Sequence, residues 1–149
     1  MVLVCSLPLL GQKYSGPLPE KPDLPYLIHA DSLVPTEASE AKEETRKDEV
    51  TYVINGATSP VSTPLASPVF VIRADQLVPE KLEIYKLESR NGRREVLFRK
   101  KKQTTRPIRC NVTRLDDNLY KLEVDESLGN GEYSITPNGS NQVFCFRVY

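Results

Sequence analysis

The sequence predicts an all-β fold, an antiparallel β-sandwich of about seven to nine short strands behind an extended proline-rich arm. Two observations carry that prediction. Short β-branched and aromatic runs recur with turn residues between them every ~8–12 positions. Several runs alternate apolar and polar residues: Tyr120, Leu122 and Val124 alternate with Lys121 and Glu123, the period of a half-buried strand. Heptads, internal repeats and strand–helix–strand alternation are absent from the sequence, and a small closed barrel is the second architecture that fits the same spacing. The 149 residues suffice for one domain with one modest core.

The elements follow in order. Residues 2–10 are mostly apolar and precede Gly11. They read as the truncated remnant of a secretory signal peptide over residues 1–11, without its basic leading segment. That remnant predicts a secreted or periplasmic protein. Residues 12–30 form the arm, with Pro17, Pro19, Pro22 and Pro25 each fixing φ and pushing the preceding residue into extended conformations. Tyr26 to Ala30 is a short strand held by its apolar side chains. The β-sandwich domain then occupies residues 31–149. Its segment 37–49 holds six acidic and three basic residues and no apolar stripe. It is expected as a solvated loop or one or two exposed helical turns.

From residue 50 the strand signals are stronger. Val50 to Ile54 is β-branched and ends at Asn55-Gly56. Residues 57–68 contain Pro60, Pro64 and Pro68 and read as a loop or edge, because proline cannot donate to a ladder. Val69 to Arg73 is the next strand. Leu82–Ser89 and Arg93–Lys100 flank Asn91-Gly92, the strongest hairpin signal in the chain. Ile108–Leu115 and Leu119–Val124 flank a turn at Asp116-Asp117-Asn118, and Tyr133–Thr136 and Val143–Val148 flank Pro137 to Asn141. In the last strand Phe144, Phe146 and Val148 form one face, which leaves Cys145 on the other.

Leu128-Gly-Asn-Gly-Glu-Tyr133, followed by Asn141-Gln-Val-Phe-Cys-Phe-Arg-Val-Tyr149, resembles the closing hairpin of immunoglobulin-like β-sandwiches in uncharacterised exported bacterial proteins. The resemblance covers about the last 40 residues. It implies an immunoglobulin-like antiparallel sandwich in a protein of the cell envelope, and it transfers no site residue.

The chemistry available is limited. His29 is the only histidine, and it lies in an apolar stretch beside the arm, so neither a Ser-His-Asp nor a Cys-His arrangement is recognisable. One His and well-separated Cys residues do not make a zinc ligand set. Phosphate-binding glycine loops and nucleophile elbows are missing from the sequence. No catalytic residue, metal or cofactor is expected. Cys110 and Cys145 are the candidates for one disulfide in an exported protein; the alternation of the last strand speaks against the pairing, and two free thiols are the other reading.

The distinctive feature is electrostatic. The 20 basic and 20 acidic residues cancel, but not locally. Residues 31–49 hold seven acids and three bases (−4), residues 86–109 ten bases and two acids (+8), and residues 110–149 six acids and three bases (−3). Overall neutrality makes nucleic acid an unlikely partner. Arg93, Arg94, Arg99, Lys100, Lys101, Lys102 and Arg106 are the candidate anion- or partner-binding residues, with Tyr85 and Phe98 the nearby aromatics. The same lysines also suit a solvated edge guarded against strand addition, and the tract and the acidic segment 37–49 are of opposite sign and suited to face each other. The expected function is a non-enzymatic exported binding or structural module recognising a protein or acidic polysaccharide. Two alternatives are an extracellular homo-oligomer joined by strand addition of the arm and a hydrolase of unrecognised type. No apolar run is long enough for a transmembrane helix.

Overall fold

The computed structural model describes residues 14–102 and 105–149. The predicted signal-peptide remnant, residues 1–11, lies outside them, as do the first two residues of the predicted arm. The described chain is all-β. In order it forms β1 (Tyr26–His29), β2 (Ser32–Pro35), β3 (Glu37–Glu40), β4 (Lys42–Arg46), β5 (Glu49–Asn55), β6 (Ser62–Thr63) and β7 (Val69–Arg73). A 3-10 turn at Pro79–Lys81 precedes β8 (Leu82–Arg90), β9 (Arg93–Arg99), β10 (Cys110–Asp116), β11 (Leu119–Val124), β12 (Gly131–Pro137) and β13 (Gln142–Val148). Among the described residues no helix is long and apolar enough to cross a membrane.

Local chemistry explains the hairpins. Asn91 and Gly92 have φ of 53° and 75° between the paired residues Arg90 and Arg93, the two positive values a type I′ turn requires. Asn118 (φ 57°) similarly turns the chain from β10 to β11.

The strands build two sheets. One is five-stranded in the order β10-β11-β7-β1-β2. The other runs β3-β13-β12-β8-β9-β5-β4, with β6 added in parallel against β13. β3 pairs with β13 at one end of that path and β4 pairs with β5 at the other. Only Ala41 separates β3 from β4, so one bent stretch of chain supplies both ends and the second sheet closes into a ring.

The outer wall of the ring packs on the five-stranded sheet. Leu27, Phe70, Ile72 and Leu122 from that sheet meet Ile84, Tyr133, Ile135, Phe144 and Phe146 from the ring, and all are buried. Tyr133 stacks on Phe146 with centroids 5.5 Å apart, and Phe70 tilts against Phe146 at 5.0 Å. Each fully buried side chain of this size contributes about 1.5–3 kcal/mol. The opposite faces of the same ring strands turn inward and bring Ala41, Ile54, Leu87, Val143 and Cys145 together as a second cluster. β12 and β13 are therefore buried on both faces.

Two expectations are corrected here. Segment 37–49 is neither loop nor helical turns: it forms β3, β4 and the start of β5. Strand pairing uses backbone groups and needs no apolar stripe where side chains face water, and Ala41 alone in residues 37–49 is buried. The described residues form thirteen strands, more than the number expected, because β2, β3, β4 and β6 are short and lack alternation. The short strand expected at Tyr26 to Ala30 is present as β1, which pairs with β2 on one side and β7 on the other. Residues before it are fastened too. The Asp23 carboxylate accepts the backbone N–H groups of Asp75, Gln76 and Leu77 at 2.8–3.1 Å. Burial raises its pKa, but those three N–H groups outweigh burial and hold it below the ordinary carboxylate value.

Candidate functional site

The ring has six staves when β3 and β4 count as one, which is narrow enough for side chains to fill the interior. At one end they do. Arg94 is completely buried, and four of its five N–H donors form hydrogen bonds. Its guanidinium forks onto Glu37 at 2.6 and 3.2 Å and donates to the carbonyls of Asn55 (2.7 Å) and Gly56 (2.9 Å). Glu132 lies 4.0 Å from the same guanidinium and accepts the Ser59 backbone N–H at 2.6 Å and the Thr58 hydroxyl at 3.1 Å. This ionic group closes the floor of the ring.

Toward the other end the ring widens. β8 and β9 are laddered only from Glu88–Arg90 to Arg93–Glu95. Beyond that they diverge, and Ile108 caps the freed strand by donating its N–H to the Ile84 carbonyl at 2.7 Å. Aromatic rings span the gap. Phe98 lies 5.2 Å from Tyr85 and 5.6 Å from Tyr52, at interplanar angles of 85° and 83°. Together with Val50, Val96, Leu87 and Val143 they wall a cavity of about 380 Å³ that opens beside the turn Pro137–Asn141. Its size is within the range of small-molecule sites, and a barrel mouth is a usual place for one.

Two carboxylates border the cavity, each beside a tyrosine. The Tyr85 hydroxyl donates to Glu83. Glu43 stands directly across the ladder from Tyr52. Burial first, then the adjoining carboxylate, raises the pKa of both phenols, so they remain protonated donors. Deeper in, burial pushes the Cys145 thiol up to about 12.

The sequence-selected basic residues are not gathered at this cavity. Arg94 is corrected outright: it faces into the ring and is unavailable to any external anion. The reason is period two, since Arg94, Val96 and Phe98 share one face of β9. Arg93 grips Glu44 with two contacts at 3.0 and 3.3 Å and meets Glu95 at 3.0 Å. Arg99 lies 3.5 Å from Glu49 and Lys101 3.6 Å from Asp48. The basic tract and the acidic segment therefore do face each other, through the pairing of β4, β5 and β9. Lys100, Lys102 and Arg106 are exposed and form no ion pair among the described residues. Cys110 and Cys145 are free thiols, packed against different clusters. His29 ends β1 and is exposed, away from the cavity.

Sequence reasoning missed the cavity itself. Its aromatics carry a signal, because Tyr52 shares its face with Val50 and Ile54, and Phe98 with Val96. No local pattern announces that these faces turn toward a common interior. No family model, curated protein or solved structure matches the chain.

Proposed function

We propose that the chain is a non-enzymatic binding module whose ligand occupies the ring interior. The observation that carries this reading is the cavity of about 380 Å³, walled by half-buried aromatic and aliphatic side chains and open at one end. A packed six-stave ring needs no such space for stability. Binding rather than catalysis is supported by what borders the space, since the lone histidine is elsewhere and the two carboxylates stand beside tyrosines.

Export to the cell envelope is the companion proposal, and it rests on the apolar residues 2–10. An immunoglobulin-like relation is likewise proposed only on the closing hairpin, β12 and β13. Recognition of an acidic glycan or protein by the basic tract is the second reading. It now rests on Lys100, Lys102 and Arg106, because Arg93, Arg99 and Lys101 already face carboxylates of this chain. Assembly by strand addition of the arm, residues 12–30, has less support, since its one strand, Tyr26–His29, is paired on both sides within the chain.

The test uses the neutral fluorophore N-phenyl-1-naphthylamine. Saturable one-site binding is expected for the wild type and for Leu65→Ala, a change at an exposed side chain remote from the cavity. Val50→Trp, which fills the cavity wall, is expected to abolish it. Equal binding by Val50→Trp, or no saturable binding by the wild type, overturns the reading.

A further inference from the structure

The ring interior is chemically one-sided. None of the lysines and arginines among the described residues lines the cavity, although Glu43 and Glu83 both do. Among the described residues neither carboxylate takes part in an ion pair, whereas most other acids near the ring do. The remaining polar side chains around the space, such as Ser134 and Thr136, are neutral. An anionic ligand therefore meets two negative charges and no positive one.

The aromatic walls complete the pattern. Tyr52, Phe98 and Tyr85 stand in succession along the cavity wall, each pair edge to face at nearly a right angle. Aromatic faces carry negative electrostatic potential and attract cations most strongly where water is displaced. A tyrosine whose hydroxyl donates to a carboxylate, as Tyr85 does to Glu83, has its ring made more electron-rich. That donation also consumes the hydroxyl. What this wall offers a ligand is then π surface and carboxylate charge. A hydrogen-bonding anion finds only neutral hydroxyls and amides there and no positive charge, while an alkylated ammonium, which carries positive charge on apolar methyl groups, meets both the rings and the carboxylates.

We propose that the cavity binds a small organic cation of the alkylated-ammonium class, with Tyr52, Tyr85 and Phe98 as the cage and Glu43 and Glu83 as its counter-charge. This rests on the reading of the ring interior as a ligand site and names the ligand chemistry for it. The charge selects and the cage excludes water. The apolar residues deeper in the ring, Leu87 and Val96, receive whatever apolar group the ammonium carries.

The test compares benzyltrimethylammonium with its uncharged isostere neopentylbenzene, by displacement of N-phenyl-1-naphthylamine and by NMR titration of the intact chain. The cation is expected to bind roughly ten-fold more tightly than the isostere. The double substitution Glu43→Gln, Glu83→Gln is expected to bring the ratio of the two affinities, cation to isostere, close to one. Both carboxylates are at least partly exposed, and the wild-type comparison stands without the variant in any case. If the naphthylamine binds and the two probes bind equally, or only the isostere binds, the cation inference is overturned and the cavity reading survives. If no probe binds, both fall together.

Discussion

Phe144, Phe146 and Val148 point from β13 into the space between the sheets, and Val143 and Cys145 point from the same strand into the ring. One backbone thus separates two interiors of different character. The first is apolar, with stacked and tilted rings around Phe146. The second has an ionic floor at Arg94, a modest apolar middle and an open aromatic end. Dense packing fixes a structure, whereas unfilled space with directed charge is where a ligand gains its contacts. The contrast assigns stability chiefly to one face of β12 and β13 and leaves the other to the proposed binding.

The largest effect expected from breaking that contrast is on the packed side. Phe146→Ala removes the ring on which Phe70 and Tyr133 lean and is expected to destabilise the fold by about 3–5 kcal/mol. Phe98→Ala, at the half-exposed open end, is expected to cost about 1 kcal/mol. Urea unfolding of the two variants measures the difference, and equal costs would erase the proposed division.

Next comes the ionic floor. Arg94→Ala leaves Glu37 and Glu132 facing each other without a cation inside the ring, at a cost of about 3 kcal/mol. That is the lower end for a buried pair, because Glu37 keeps a quarter of its side chain in water and Glu132 keeps Ser59 and Thr58. Adding Glu37→Gln is expected to recover part of the loss. A single variant as stable as the wild type removes the floor from the account.

The smallest effect is a pH dependence. In the folded chain the Cys145 thiol is raised from 9.0 to about 12, with burial the main cause and Arg94 opposing it. Between those values the unfolded chain releases a proton that the folded chain retains. Stability is therefore full below pH 9 and declines as pH rises toward 12. The decline is expected to be shallower in Cys145→Ala, measured by urea midpoints at pH 8 and pH 10.5. Parallel declines in the two proteins would clear Cys145 of the role.

Much of the fold was legible because it is local. Asn91-Gly92 announces its turn, and the last strand's alternation separates Phe144 and Phe146 from Cys145 without reference to any partner. The ring was not legible, because Glu37 to Arg46 carries no apolar alternation and its partners are distant in sequence. β3 needs β13 and β4 needs β5 and β9 beyond it. Arg94 shows the limit most sharply. Read by residue type it belongs with Arg93 in a basic surface tract, yet one position along a strand exchanges water for the interior. Its phase with Val96 and Phe98 was the available signal. The cavity's one-sided charge depends on which faces converge, and convergence is a property of the closed ring.

Closure has a further consequence, for when the ring interior comes into being. Ala38 pairs with Phe144, across about a hundred residues of chain, and pairings of such long range belong to slow, late steps of folding. During synthesis β3 emerges early and waits, and until Gln142–Val148 has left the ribosome β12 has an open edge and the ring no interior. A product that stops before β13 therefore has no enclosed interior at all, whatever else of the fold it has formed.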